Sequence, residues 1–507
     1  MNKPAGQVKV QVINEAQTIV TPGTGLVYIV GPTLKGLKAN PKYVINSVAK
    51  FISYYGDDNG IFTAIAKRIL AQNVQLRVSR VVSDTATIAE SEAFVLGTTP
   101  MFKFKAKAPG KQYNNVSIKL ESGENSYFNI YVNELDSFGN VIFKEKFINL
   151  IVPEDITLNP HYLEPIKNST LIDPVYIEDS GSGSGSGSGS VIWEEQTFNL
   201  TGGSNGGNLT SSEYVNALSG FNSFYDGKVI CFPSLDDDEP GITLGILNAA
   251  LTSYVEARKD LMGIIHIPNR LNSADLITEY IEYPDNGISV SKYIIVSGGG
   301  VKTSLFGNST SEVPETGFYA AKLAEHYGIA PWKSPSGFNY GIITGINGPV
   351  NNFGSPAYFN DLNAISSSGV NMLINRNNVN MFWTGYTMAL DNSPEKFISI
   401  IFLELYLISI LKPTLERYIS EPNDFDTWSN IYYVCKPIME DLIEKRALFA
   451  YVWDGDQFAT SLEDLQVNDP QDVQDGIYKI QVQIKTVSPI VIIDLAIILT
   501  NAGVEFK

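Results

Sequence analysis

Histidine and cysteine are scarce in this chain of 507 residues, which has three of the first and two of the second. His161, His266 and His326 are scattered, with no H-E-x-x-H spacing and no Cys/His ligand pattern, so no metal centre of those kinds is spelled out. His266 falls in an apolar stretch and reads as a core histidine rather than a catalytic one. Cys231 and Cys435 are far apart, each in apolar surroundings, and read as buried free thiols of a reducing compartment. Positive charge is short as well: 36 Lys and Arg face 54 Asp and Glu, a formal net charge of -18. Such a chain repels phosphate backbones and anionic lipid, so nucleic acid and membranes are not expected partners. Long apolar runs are also missing. Phe397 to Leu411 is too short to span a bilayer and contains Glu404; Ile490 to Thr500 is shorter and contains Asp494. Met1 to Val12 has no apolar h-region, so no secretory signal is expected and the protein reads as soluble.

Enzymatic motifs are equally thin. Gly298-Gly-Gly-Val-Lys302-Thr303 lacks the spacing that puts a phosphate cradle and its lysine in register. Gly31-Pro-Thr-Leu-Lys-Gly36 follows a strand, but Pro32 removes an amide that a phosphate would need. Asp236-Asp-Asp-Glu239 and Asp454-Gly-Asp456 are acidic enough to attract a cation, yet neither follows the EF-hand ligand order. No nucleophile elbow or paired acid/base constellation occurs. Catalytic residues, cofactors and metals are therefore assigned to no position.

What the chain does have is core: 44% of its residues are hydrophobic, and its length calls for two to four domains. Val8, Val10 and Val12 alternate with polar residues as a short strand standing apart, before the Thr21 to Gly25 turn. Leu26 to Val30 reads as a buried strand. Ser47 caps a helix carrying Val48, Phe51, Ile52 and Tyr55 and closed by Gly56; a second helix has Phe62, Ile65, Ala66 and Ile69 on one face. Val74, Leu76 and Val78 then alternate in a strand. Residues 21–95 form the first half of an α/β domain. From Phe102 to Ile148 the pattern turns antiparallel, with Lys103, Lys105 and Lys107 as a solvated face and a turn at Asp136 to Asn140. We read 96–178 as an inserted β domain and 179–190, a Ser-Gly alternation that suits a native or an engineered loop, as a flexible linker. The second α/β half, 191–375, has buried strands at Val229 to Phe232, Gly263 to Ile267 and Tyr293 to Val296. A helical pattern with Ile246, Ala249, Ala250 and Val255 lies between the first two. Residues 376–507 read as an α+β domain. Asp426 or Thr427 caps a helix bearing Trp428, Ile431, Tyr432, Cys435, Met439 and Leu442, and Pro437 predicts a kink or break. Tyr478, Ile480, Val482 and Ile484 alternate as a strand; after Pro489, Val491, Ile493, Leu495 and Ile497 lie in a final apolar strand that must be paired to avoid aggregation.

In order along the chain stand Val27-Tyr-Ile-Val-Gly-Pro32, Leu76-Arg-Val-Ser-Arg80, and Ala106-Lys-Ala-Pro-Gly110 with Asn114-Asn115. Leu200-Thr-Gly-Gly-Ser204, Pro314-Glu-Thr-Gly317, Pro331-Trp332-Lys-Ser-Pro335 with Gly337, and Glu421-Pro422-Asn423-Asp424 with Trp428 follow. This ordered set resembles the contractile tail sheath proteins of myophages and injection systems, with Tyr113 standing where that pattern usually has a glycine. The resemblance implies subunits in hexameric rings, stacked helically around an inner tube, with baseplate and tail terminator proteins as further partners. It implies assembly in the bacterial cytoplasm into a virion tail or injection particle and a C-terminal domain facing the tube; the Ser-Gly linker and the lysine row of the β insert lead us to expect that insert on the outside. It also implies arms, residues 1–20 and the last strands, that add to a neighbour's sheet; Val8, Val10, Val12, Tyr478, Ile480, Val482, Ile484, Val491, Ile493, Leu495 and Ile497 are the expected exchange residues. The rival from another class is an α/β nucleotide-binding or hydrolytic enzyme with a β insertion, which would need a motif of the kind missing above.

Overall fold

The computed structural model describes residues 25–58, 60–96, 99–123, 127–136, 138–151, 163–177, 194–306 and 309–491. The expected strand at Val8, Val10 and Val12, the Ser-Gly run, and Ile493, Leu495 and Ile497 lie outside them.

An apolar run flanked by turn residues has one stable place, the middle of a sheet covered on both faces. Strand β1 (Leu26–Pro32) takes it, buried at every position but the last. The Ser47 hydroxyl accepts the Lys50 amide at the start of α1 (Val48–Tyr55), and Gly56 ends the helix at φ +83°. Helix α2 (Ile61–Leu70) leads into β2 (Gln75–Val81), which runs parallel to β1.

Antiparallel structure follows in β3 (Phe94–Leu96), β4 (Thr99–Ala106), β5 (Val116–Ser122), β6 (Tyr127–Leu135), β7 (Val141–Ile151), β8 (Ile172–Tyr176) and β9 (Gln196–Asn199). They pair as β3-β4-β8 and β7-β6-β5-β9 around a core of Phe94, Phe102, Phe104, Ile118, Phe128 and Val132. The β6–β7 turn closes as expected, with Asp136 Oδ1 accepting the amides of Phe138 and Asn140, each at 2.8 Å. Two expectations need correction. Strand β9, assigned from sequence to the second α/β half, pairs with β5, so the Ser-Gly run lies within the antiparallel segment rather than beside it. The lysine row is not a free solvated face either: Lys103 pairs with Glu90 at 2.5 Å and Lys107 with Asp173 at 3.0 Å, all half-buried or at the rim.

The chain then alternates again through α3 (Ser211–Leu218), β10 (Val229–Cys231), α4 (Leu244–Arg258), β11 (Met262–His266), α5 (Ala274–Glu282) and β12 (Ile294–Gly298). A small sheet of β13 (Val301–Phe306), β14 (Ser309–Val313) and β15 (Gly348–Pro349) brackets α6 (Thr316–Ile329) and α7 (Gly337–Tyr340). Helix α8 (Phe359–Ser367) precedes β16 (Val370–Arg376) and β17 (Val379–Phe382). One seven-stranded sheet, β17-β16-β12-β11-β10-β1-β2, thus draws strands from both sides of the antiparallel segment, parallel except for β17. Helix α4 forms where expected but presents another face: Leu244, Leu247, Leu251 and Val255 are buried, whereas Ile246 is 55% exposed. Apolar residues lie on more than one face of this helix, and Asn248 and Thr252 are on the buried one, so its phase is set by what it packs on.

Among the described residues, a second compact unit comprises Pro331–Ser334 and residues 391–491. The expected boundary at 375/376 falls too early, because β17 completes a hairpin with β16. This unit contains α9 (Ile398–Glu416), α10 (Phe425–Glu444), β18 (Leu448–Asp454), α11 (Pro470–Gln474) and β19 (Gln481–Thr486). Helix α9 outlasts the apolar run seen in the sequence and is long and apolar enough to cross a membrane, but Leu403 and Leu407 are buried against Met439 and Leu442. The cap of α10 is Asp424, not Asp426 or Thr427; its carboxylate accepts the Thr427 amide at 2.9 Å. The helix also runs through Pro437 unbroken. The carbonyl that loses its bond belongs to Tyr433, and both residues are exposed, so solvent can hydrate it.

Candidate assembly surfaces and the carboxyl ends of the sheet

In the stretch 314–338, Pro314 is buried, and Glu315 precedes α6 with a fully buried side chain that makes no capping bond to the helix. Gly317 is required by proximity: a Cβ there would lie 2.6 Å from Ile65 Cγ2 and 3.0 Å from Pro233 Cβ, so α6 packs on α2 without room for a side chain. Tyr319 stacks on Phe382 with centroids 3.7 Å apart. Pro331 to Ser334 belongs to the second unit, where the Trp332 ring meets Tyr406 edge-on at 5.8 Å and joins the Leu403–Met439 core. Pro335 is buried, and Gly337 holds φ +66° with open space around it, so its role is conformational.

The Glu421 to Asp424 stretch is a latch. Asn423 accepts the Trp428 indole N–H at 2.8 Å and donates to the carbonyls of Val473 and Ile477, both at 3.2 Å. Glu421 and Pro422 are exposed and lead into the Asp424 cap. Trp428 is buried and stacks on Tyr478 at 5.0 Å with ring planes nearly parallel. The family resemblance placed Asn423 in a motif without a reason; an asparagine five residues before a tryptophan was the available signal.

The expected exchange residues divide. Tyr478 and Ile480 precede β19, and with Val482 they pack around Ile431, Cys435 and Trp453; Val482 and Ile484 also reach the Met439 core. These side chains fill this chain's own interior. Val491 is 58% exposed. Strands β18 and β19 pair with each other alone among the described strands, leaving one backbone edge open on each. The seven-stranded sheet differs, because bridges at Ile45–Leu76 and Ile342–Met381 cover both its edges.

Carboxyl ends of parallel strands are where an open α/β sheet would bind a ligand. At the ends of β11 and β12, His266 donates from Nε2 to Asp236 at 2.8 Å and from Nδ1 to Glu315 at 3.0 Å. Glu315 also accepts the Ser297 hydroxyl at 2.7 Å and the Gly300 amide at 3.0 Å. Burial pulls the imidazole pKa down, but the Glu315 and Asp236 carboxylates outweigh it and push the value up to about 9. The ring is thus a buried cation between two acids, and Ser297 faces Glu315 rather than the imidazole, so no nucleophile is activated. Gly298 to Thr303 runs into strand β13, not a helix, which removes the helix N-terminus that a phosphate loop needs. The acidic runs are spoken for as well: Asp237 pairs with Arg270 at 2.5 Å, Asp238 accepts the Leu244 amide, and Asp456 accepts the amides of Gln466, Val467 and Asn468. Among the described residues no group of three or more His, Cys, Asp or Glu is placed to hold a metal ion.

No protein-family model matches the chain, and no curated protein matches it. Solved structures do. A sheath tail protein from Listeria innocua is similar with a TM-score of 0.58 at 12% identity, over 92% of this chain and 95% of its own. The contracted helical sheath of an anti-feeding prophage is similar with a TM-score of 0.53 at 12% identity, over 96% and 97%. A sheath tail protein from Desulfitobacterium hafniense is similar with a TM-score of 0.50 at 14% identity, over 88% and 93%. At these identities the likeness is one of fold, and over most of its length this chain has a fold similar to that of these sheath proteins.

Proposed function

We propose that this chain is a structural subunit of a contractile sheath, which polymerises around an inner tube in a metastable extended state and contracts to drive that tube through a target envelope. The observation that carries the reading is coverage: the similarity spans nearly the whole of this chain and of its neighbours. One of those neighbours is itself a sheath in its contracted state. In this reading the chain is not an enzyme, and its partners are further copies of itself in stacked hexameric rings, a tube protein, baseplate and terminator proteins. It would reside in a tail or injection particle. The open backbone edges of β18 and β19 are the natural receivers of a neighbour's terminal arms, since a two-stranded sheet is marginal alone and strand addition satisfies its unpaired amides and carbonyls. Tyr478, Ile480, Val482 and Ile484 then serve by holding β19 to the C-terminal core while its edge accepts a strand. Negative-stain microscopy tests this. The purified protein should form wide hollow cylinders, and a variant lacking residues 1–14 should stay folded without forming long ones; full-length cylinders from that variant would refute the role of the arm.

A further inference from the structure

In the seven-stranded sheet the connections after β1 turn one way to β2 and the other way to β10, so the carboxyl end of β1 is the switch point at which a ligand crevice would open. The loop there, Thr33 to Gly36, is filled by groups from the antiparallel segment and from β2. Lys35 and Glu134 of β6 form an ion pair with side chains only 4% and 2% exposed. Gln112 donates to the other Glu134 oxygen at 3.2 Å. The Tyr113 hydroxyl, itself buried, accepts the Gly36 amide at 3.0 Å. Arg80 of β2, 1% exposed, donates to the carbonyls of Thr33, Leu34 and Gly36 in the loop and, at 2.7 Å, to Pro109 in the segment. Gly110 stands at φ +149° against that guanidinium, where a Cβ would come within 2.9 Å of Arg80 Nη2.

The incoming and outgoing chains are joined as well. Glu90 and Thr201 exchange backbone hydrogen bonds at 2.9 Å each, and Thr87 and Ser204 exchange a pair at 3.2 Å. Asn114 and Gly203 exchange a third pair, both at 2.8 Å.

We propose that the antiparallel segment is socketed in the ligand position of the parallel sheet, so that the two open and close as one cooperative body. The Lys35 ammonium, the Arg80 guanidinium and the Gly36 amide, the donors of the crevice named above, are bonded to protein and not free for a phosphate or nucleotide. Pulling the segment out would part buried Lys35 from Glu134 and strip Arg80 of its bond to Pro109, and an unpaired buried charge is costly in a way that a slack tether is not. The segment is therefore fit to transmit force, contrary to its expected hanging on Ser-Gly chain. This inference stands apart from the assembly reading and is tested on the full chain in its unassembled form.

Amide hydrogen exchange is the test. In the unaltered chain the slowest amides of β5 and β6 should exchange with the same opening equilibrium as those of β1 and β10. Tyr113→Phe, which removes only the acceptor for Gly36, should speed exchange in β5 and β6 relative to β11 by about fivefold, and Glu134→Gln by about tenfold or more. Tenfold faster exchange of β5 and β6 than of β1 in the unaltered chain would overturn the proposal. So would both variants leaving the ratio to β11 unchanged.

Discussion

Replacing His266 with glutamine should remove a pH dependence from the parallel-sheet unit. In the folded chain the imidazole is held between Asp236 and Glu315, with Ser297, Gly300 and Asn269 as the neighbouring polar groups. Raising its pKa from 6.5 to about 9 corresponds, at about 1.4 kcal/mol per pH unit, to about 3 kcal/mol of stability. The folded value lies above the unfolded one, so this contribution is fully present below pH 6.5 and is lost as pH rises through about 9. His266→Gln keeps one donor for one carboxylate and carries no charge, so it should be least stable relative to the unaltered chain near pH 6 and closest to it near pH 9.5. Urea titrations between these values, read by pulsed amide labelling of β11 and β12, follow this unit specifically. Parallel stability curves for the two proteins across that range would refute the charged-clamp account.

Other consequences follow from close contacts. Asn423→Ala should destabilise the C-terminal unit by about 1–3 kcal/mol, because the Trp428 N–H and two carbonyls lose their partner together; the shift of the tryptophan fluorescence midpoint in urea measures it. Gly317→Ala should cost about 1–3 kcal/mol by driving a methyl into Ile65 and Pro233, read as a lower melting temperature. Burial pushes the Cys231 thiol pKa up and that of Cys435 up to about 11, so neither should react with a thiol reagent in the native protein at neutral pH, and both should react in urea.

Features written in consecutive residues were legible. The Ser47 cap, the Gly56 stop, the all-apolar β1 and the Asp136 turn need no distant partner, and the structure has each of them. What depended on partners far along the chain was not. Strand β9 is four residues with alternating exposure, and only its pairing with β5 puts it in the antiparallel segment. His266 and Glu315 are 49 residues apart, so their ion pair has no local sign. Asn-Asp-Phe-Asp-Thr offers several capping side chains in succession, and the choice of Asp424 follows from Asn423 being tied to Trp428 and the 473–477 turn. The sequence weakened the Gly31 to Gly36 loop as a phosphate site only through Pro32; what fills it, Tyr113 and Glu134, lies 77 and 99 residues further along the chain and gave no sign of it.

Cryo-electron microscopy of cylinders grown from the purified protein tests the central claim most directly. The account predicts a hollow helical lattice with six-fold symmetry, in which density from neighbouring subunits extends the β18–β19 sheet on its open edges. A protein that stays monomeric under every assembly condition, or a lattice in which those two edges face solvent, would contradict it.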